Sequence, residues 1–437
     1  MIVPSIDIQG GSTVQLIGGE QKALDAGDPL LVAERFARAG EIAVIDLDAA
    51  MGKGDNEAQI RALVERFPCR VGGGIRDLAR AKRWLDHGAA KIILGTAARP
   101  ELLKELPRER LIAAVDARNG EVVVNGWTTN TGLALLDQVR LLAPYVGGFL
   151  VTFVEREGRL GGTALERVPA ILEAAGDARV TIAGGVSTAE EIAALDRMGA
   201  DAQVGMAIYT GRLAMADAVA APLTSDRPDG LWPTVVVDVH GVALGLCWSN
   251  RESLAVALER GVGAYHSRRR GLWVKGETSG ATQRLVRVDL DCDRDALRFT
   301  VEQTAPGFCH EDTWTCWGPG RGLPRLAREL AARHDEPAAG SYTRRLLGDP
   351  ALLRAKLHEE ADELLAAEGP EHAAEEAADL LYFAMVAMTR AGADLAAVER
   401  ALDRRALRTT RRPGDAKPGA IPPTGVPPVE PPPSEGR

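Results

Sequence analysis

Over the first 220 or so residues, short apolar runs alternate with stretches whose apolar residues recur every three to four positions. The runs Ile2–Ile6, Ile42–Leu47, Lys91–Leu94, Leu111–Val115, Phe149–Val154 and Val180–Ala183 predict strands, and the stretches between them predict amphipathic helices. Strand–helix alternation implies a parallel sheet. A turn-rich joint follows at Pro222–Pro233. Beyond it, β-branched runs such as Thr234–Val239 and Leu285–Leu290 predict a strand-rich region. From residue 323 to 411 the pattern changes to Ala, Leu, Glu and Arg at helical period, and the Pro- and Gly-rich end has no period. The predicted organisation is a domain at 1–221, a linker at 222–233, a β-rich α+β domain at 234–319, an all-α domain at 323–411 and a disordered tail at 412–437.

The first region repeats itself. Ile6-Asp7 recurs as Val115-Asp116, Gly73-Gly74-Ile75 as Gly184-Gly185-Val186, and Leu94-Gly95 as Val204-Gly205, each at an offset of about 110 residues. Two halves of four βα units predict a closed (β/α)8 barrel; a doubly wound open sheet would not require the doubling.

Composition narrows the classes. The chain has 437 residues, a net charge of −9 and 46% hydrophobic residues, so it can build several cores and has no global basic field for nucleic acid. No signal peptide opens the sequence and no apolar run is long enough to span a bilayer, which predicts neither export nor membrane insertion. Five cysteines, an odd number, argue against a disulfide framework and for a reduced, cytoplasmic setting.

Barrel active sites lie at the C-terminal ends of the strands. There the repeat places Asp7 and Asp116, with Gly74, Gly95 and Thr96 in one half and Gly184, Gly185, Gly205 and Met206 in the other. Glycines at helix starts let backbone N–H groups approach phosphate. Two such sites flanking two carboxylates predict a long substrate phosphorylated at both ends. His87 is the region's one histidine and sits in a helical stretch, so acid–base work falls to the carboxylates. The competing reading is that the aspartates cap turns and the glycines only tighten loops.

Pro4-Ser5-Ile6-Asp7, Val44-Ile45-Asp46-Leu47-Asp48, Gly72-Gly73-Gly74-Ile75-Arg76, Gly126-Trp127 and Ala183-Gly184-Gly185-Val186-Ser187 resemble the phosphoribosylformimino-AICAR-phosphate isomerase family of histidine biosynthesis. The resemblance implies a cofactor-free Amadori rearrangement of an aminoaldose to an aminoketose. It implies Asp7 as base, Asp116 as acid and Thr152 in support. Two positions depart from the family: Gln15 stands where Arg is usual, and Arg156-Glu157-Gly158-Arg159 where Arg-Asp-Gly-Thr is usual. A catalytically silent barrel kept for binding or scaffolding is therefore the alternative.

In the β-rich region, Asp291, Asp293 and Asp295 follow a β-branched run and share one face if the strand continues, with Cys292 on the other. Carboxylates suit Mg2+ and thiolates suit Zn2+, and Cys309 and Cys316, separated by six residues, supply two further thiols. Three thiolates with one open position predict catalytic zinc; a solvated acidic turn is the bland alternative. Arg268, Arg270, Trp273 and Lys275 make a basic-aromatic patch that suits a phosphorylated nucleotide. Asn250-Arg251-Glu252, the run Trp273–Gly280, Asp291–Leu297 and Cys309-His310 with Cys316 resemble phosphoribosyl-AMP cyclohydrolase. That resemblance implies zinc on Cys292, Cys309 and Cys316, magnesium on Asp291, Asp293 and Asp295, and substrate contacts reaching Glu277 and Ser279. It further implies a proton shuttle at His310, zinc-activated water opening the adenine ring at C6, and a homodimer whose subunits share the zinc ligands.

In the helical region, Glu360 and Glu363 share a helix face beside Glu359, and Glu376 and Asp379 share a face of the next helix. Facing carboxylate pairs can hold Mg2+ for a triphosphate, although acidic helix faces are common without one. With Ser341-Tyr342-Thr343, Lys356 and Ala378-Asp379-Leu380-Leu381-Tyr382, the region resembles phosphoribosyl-ATP pyrophosphohydrolase, which implies magnesium-assisted release of pyrophosphate. Phe383 stands where His is usual. The three resemblances name consecutive steps: pyrophosphate release, ring opening and isomerisation.

Overall fold

The computed structural model describes residues 1–18, 21–124, 126–335 and 341–410; the tail expected to be disordered, 412–437, lies outside the described residues. The described chain forms two compact units, residues 1–320 with 402–410, and residues 321–401.

Eight parallel strands make the barrel: β1 (Ile2–Gln9), β2 (Ile42–Asp46), β3 (Cys69–Gly72), β4 (Lys91–Leu94), β5 (Leu111–Arg118), β6 (Gly148–Phe153), β7 (Arg179–Ala183) and β8 (Asp201–Val204). Each pairs with the next, and β8 pairs with β1, so the sheet closes and leaves no edge. Ile93, Ile112, Leu150 and Ala183 fill the interior. Phe36, Trp84 and Phe149 are buried between strands and helices. The apolar pattern did not mark β3 and β8. Each has four residues, and β8 carries Asp201 and Gln203. Asp201 is buried because two hydrogen bonds from Arg179, at 2.6 and 2.7 Å, replace its water.

The doubling persists in the loops. An antiparallel hairpin follows β1 (Ser12–Ile17 with Gln21–Gly27), and a second follows β5 (Glu121–Val124 with Thr129–Ala134). At Gly73 and Gly184 the φ angles are +93° and +89°, and a Cβ would strike the carbonyl of Asp46 or of Phe153. Only glycine meets both demands, so the repeat keeps it in each half.

In the same unit, β9 (Trp232–Asp238), β10 (Ala243–Ser249), β13 (Gln283–Leu290) and β14 (Leu297–Gln303) form a sheet in the order β10-β9-β14-β13. The pair β11 (Ala264–Ser267) and β12 (Gly271–Val274) lies apart. One apolar core runs from the barrel into this domain and includes Tyr265 and Phe299. Arg38 of the barrel donates to the carbonyl of Leu258 at 2.7 Å.

In the second unit, helices Gly322–Asp335, Tyr342–Gly348, Pro350–Ala366 and Pro370–Arg390 enclose Leu330, Leu346, Leu353, Phe383 and Val386. Asp349 caps the third helix by accepting from the Ala351 and Leu352 amides. No single helix among the described residues is long and apolar enough to cross a membrane.

Asp46, at the end of β2, shows how the barrel mouth is held. Its buried carboxylate accepts from Ala49 N at 3.0 Å, Asn56 N at 2.9 Å and Asn56 Nδ2 at 2.8 Å. Asp46→Ala strands these donors and should lower unfolding free energy by about 3 kcal/mol in denaturant titration; a loss under about 1 kcal/mol would show that the network is not needed.

Candidate functional site

Asp7 lies near the C-terminal end of β1 and Asp116 near that of β5, as the repeat predicts. The hairpin after each strand returns a donor to it. Gln15 Nε2 donates to Asp7 Oδ2 at 3.3 Å, and Trp127 Nε1 donates to Asp116 Oδ2 at 2.8 Å. Thr152 of β6 stands in register with Asp116 and also hydrogen-bonds it. Burial pushes the Asp7 carboxyl up to about 7, with Gln15 pulling the other way. Asp116 is likewise raised by burial, opposed by Trp127 and Thr152.

A third carboxyl joins them. Glu157, just past β6, is pushed up to about 7 by burial and by the charges of Asp7 and Asp116. The departure from Arg-Asp-Gly-Thr therefore keeps a carboxyl at the mouth. Its signal in the sequence was the carboxyl that Glu shares with the Asp it replaces. Gln15 and Trp127 gave no catalytic signal, because only the folded hairpins bring them to the aspartates.

Ser5, Glu157, Gly184, Gly185, Gly205 and Met206 line one cleft at the mouth. Gly74, Gly95 and Thr96 follow β3 and β4 in the other half and do not line it.

In the β-rich domain, β13 stops at Leu290, so Asp291, Asp293 and Asp295 are gathered by a turn rather than by strand alternation. Their carboxylates lie within 4.8 Å of one another. Arg294 makes the turn with a φ of +67°. Against a burial cost, the Ala296 and Asp295 amides hold Asp291 below the usual carboxylate range, and Asp291 in turn raises Asp295. Hard oxygen donors at this spacing fit a divalent cation such as magnesium.

Cys309 and Cys316 are hydrogen-bonded neighbours. Cys316 N donates to the Leu244 carbonyl at 2.8 Å, which seats the thiol loop on β10. Cys309 is lowered by the Glu311 amide and the Thr313 hydroxyl, whereas burial raises Cys316. Cys292 is exposed beside Asp293, and among the described residues no three thiols of one chain come together. Two adjacent thiols suit zinc but leave its donor set short by one. His310 Nδ1 is 3.9 Å from Cys309 Sγ.

Arg268, Arg270 and Trp273 line a groove of about 650 Å³ together with Trp248 and His266, which the sequence reading did not single out. Trp248 is covered by Arg227 and Arg268 at 4.1 and 5.4 Å from its ring centre. Lys275 is buried, lowered by that burial, near Cys309 and Cys316. Glu277 and Ser279 are exposed and lie outside the groove lining.

In the helical unit, Glu359, Glu360 and Glu363 form one carboxylate group, and Glu360, Glu376 and Asp379 another. Burial and the charges of Glu360 and Glu376 raise Glu363. Lys356 bridges Glu359 at 2.8 Å and Glu360 at 2.7 Å. Phe383, where His was expected, is buried in the apolar core and packs against Tyr382. Five carboxylates with one lysine leave an oxygen-rich, electron-donating site that fits magnesium.

The family model described as histidine biosynthesis protein matches residues 1–214. An imidazole-4-carboxamide isomerase of Gemmatimonas aurantiaca, whose full name specifies two phosphoribosyl groups, is 40% identical over 225 residues, 48% of this chain and 94% of its own. The chain belongs to the histidine biosynthesis protein family. The models described as phosphoribosyl-AMP cyclohydrolase and phosphoribosyl-ATP pyrophosphohydrolase match residues 245–318 and 323–406, so this family member carries both further domains in that order. A histidine biosynthesis trifunctional protein of Neurospora crassa is 52% identical over 206 residues, 47% of this chain and 24% of its own. A histidine biosynthesis bifunctional protein of Schizosaccharomyces pombe is 48% identical over 205 residues, 47% of this chain and 49% of its own. The match thus spans about a quarter and about half of these two relatives.

For this family member, Glu157 gives a stability test. Its folded-state pKa, about 7, lies above the ordinary 4.5, so between these values the folded protein binds more protons than the unfolded one. Stability from this group therefore falls as pH rises through that window. Glu157→Gln removes the dependence. It should raise the melting temperature by a few degrees near pH 8 and leave it nearly unchanged near pH 4; an equal change at both would contradict the raised pKa of this carboxyl.

Proposed function

We propose that the chain is a multifunctional enzyme of histidine biosynthesis. It hydrolyses phosphoribosyl-ATP to phosphoribosyl-AMP and pyrophosphate, opens the adenine ring of phosphoribosyl-AMP, and isomerises the product from aminoaldose to aminoketose. The observation that carries this reading is that each matched domain has its own chemically distinct acidic site, and that the three match families of consecutive steps.

In the barrel, Asp116 protonates the sugar ring oxygen and Asp7 removes the C2 proton. A base with a pKa near 7 is poised for proton transfer in both directions. Thr152 and Trp127 orient the acid. The Gly184–Gly185 and Gly205–Met206 cleft holds one phosphate, and Gly74, Gly95 and Thr96 hold the other. The trio of half-buried carboxyls with raised pKa values favours this active barrel over a silent one, because a scaffold has no need to crowd carboxyls in its mouth.

In the β-rich domain, Arg268, Arg270 and Trp273 bind and stack the nucleotide in the groove, and Lys275 contributes its charge near Cys309 and Cys316. Cys309 and Cys316 of one subunit and Cys292 of a second would hold zinc in a homodimer formed through this domain; what supports this is that no three thiols of one chain come together among the described residues. Bound there, zinc supplies an activated water for ring opening at neutral pH. Asp291, Asp293 and Asp295 hold magnesium, and His310 carries a proton at the thiol loop. In the helical unit, Glu359, Glu360, Glu363, Glu376 and Asp379 would hold magnesium, which would offset the triphosphate's negative charge, and would orient attacking water. The substrates are phosphorylated small molecules, the expected compartment is the cytoplasm, and neither nucleic acid nor membrane is a partner.

The domains should fail one at a time. Cys309→Ser should abolish ring opening and lower bound zinc in metal analysis, with pyrophosphate release intact. Asp7→Asn should slow isomerisation alone, by about 10³-fold. Zinc-free protein with full ring-opening activity would refute the thiolate site, and unchanged isomerisation in Asp7→Asn would refute the barrel assignment.

A further inference from the structure

The acidic turn Asp291–Asp295 contains one positive charge, Arg294. Left free, a guanidinium among three carboxylates would fold onto them and take the place of a cation. It does not. Arg294 Nε lies 3.1 and 3.3 Å from the two oxygens of Asp196, and Nη2 lies 3.1 Å from Oδ1. Asp196 belongs to the barrel helix Ala189–Met198. The two side chains are only 12% and 21% exposed, so solvent screens the pair weakly.

The backbone of Arg294 is held from the same side. Thr224 of the joint donates its amide to the Arg294 carbonyl at 2.8 Å. Between these two grips Arg294 adopts a φ of +67°, a conformation that costs a non-glycine residue strain unless its surroundings hold it there. The turn then closes on itself. Arg294 Nη1 donates to the Asp291 carbonyl at 2.5 Å, and Asp291 Oδ1 accepts from Asp295 N at 3.0 Å and Ala296 N at 3.1 Å.

We propose that Asp196 of the barrel is a positioning residue of the cyclohydrolase domain. It draws the Arg294 guanidinium away from the acidic turn, fixes the turn's left-handed residue, and so leaves three carboxylates preorganised for a divalent cation. The barrel is then a structural part of the ring-opening site, whether or not it turns over a substrate of its own. The inference rests on reading residues 234–319 as a cyclohydrolase.

The test uses the full chain and magnesium chloride. Asp196→Asn keeps the shape and removes the charge. It should raise the magnesium concentration for half-maximal ring opening about tenfold and restore the wild-type rate, within about twofold, at saturating magnesium. Amides of Asp295 and Ala296 should exchange hydrogen faster in the metal-free variant, and pyrophosphate release should not change. Arg294→Asn, which has no guanidinium to release and tolerates the left-handed backbone, should give a smaller magnesium shift, and the double variant should be no worse than Arg294→Asn alone. An additive double variant, or wild-type magnesium dependence and exchange in Asp196→Asn, would overturn the proposal. If the wild type fails to open the ring, the cyclohydrolase reading falls, and hydrogen exchange alone decides the tie: faster exchange supports it and unchanged exchange refutes it.

Discussion

Carboxylates held close together repel, and this chain holds them close in three places. The barrel mouth gathers Asp7, Asp116 and Glu157; a turn gathers Asp291, Asp293 and Asp295; two helices gather Glu359, Glu360, Glu363, Glu376 and Asp379. How the repulsion is relieved separates the sites. In the barrel burial is the largest influence and raises all three carboxyls, Asp7 and Glu157 to about 7. On the turn and the helices, water, backbone amides and Lys356 relieve part of the charge and leave oxygens that suit a cation. Under the proposed function, proton transfer belongs to the first environment and metal-assisted hydrolysis to the other two.

The rest of the first unit is arranged around those demands. Closing eight strands into a ring puts Asp7 and Asp116 at one end of the barrel. The duplicated hairpins then bring one donor to each, an amide for Asp7 and an indole for Asp116. The same repeat keeps glycine at 73 and 184, where a side chain would collide with the neighbouring strand's carbonyl. Barrel and β-rich domain share one apolar core, which lets an ion pair such as Asp196–Arg294 reach from one to the other with fixed geometry.

Much of this was legible from the sequence. Strand-end aspartates and glycine pairs recurring at a constant offset announced a closed barrel, because a repeat of four βα units has few other ways to bury itself. Helical spacing of acidic residues paired Glu360 with Glu363 and Glu376 with Asp379, and the folded helices bring Glu360 to Glu376 and Asp379. What escaped was nonlocal or irregular. Asp201 masks β8 because its burial depends on Arg179, a partner on the adjacent strand β7. Trp248 read as an ordinary residue, and Gln15 and Trp127 stood out only against the family's pattern, with no role until the hairpins bring them to the aspartates. The acidic turn was expected as a continuing strand, but the strand ends at Leu290 and the carboxylates sit on a turn that carries a left-handed arginine, a choice that periodicity cannot reveal. Glu157 looked like a loss and is a replacement.

The central claim is that one chain carries three consecutive steps. It is tested most directly by giving the purified protein phosphoribosyl-ATP with magnesium and zinc, and identifying the end product by mass spectrometry and a separation of aldose from ketose. The account predicts pyrophosphate release followed by accumulation of the ring-opened aminoketose. Accumulation of phosphoribosyl-AMP, or of the ring-opened aminoaldose without its ketose isomer, would contradict it at the middle or the last step.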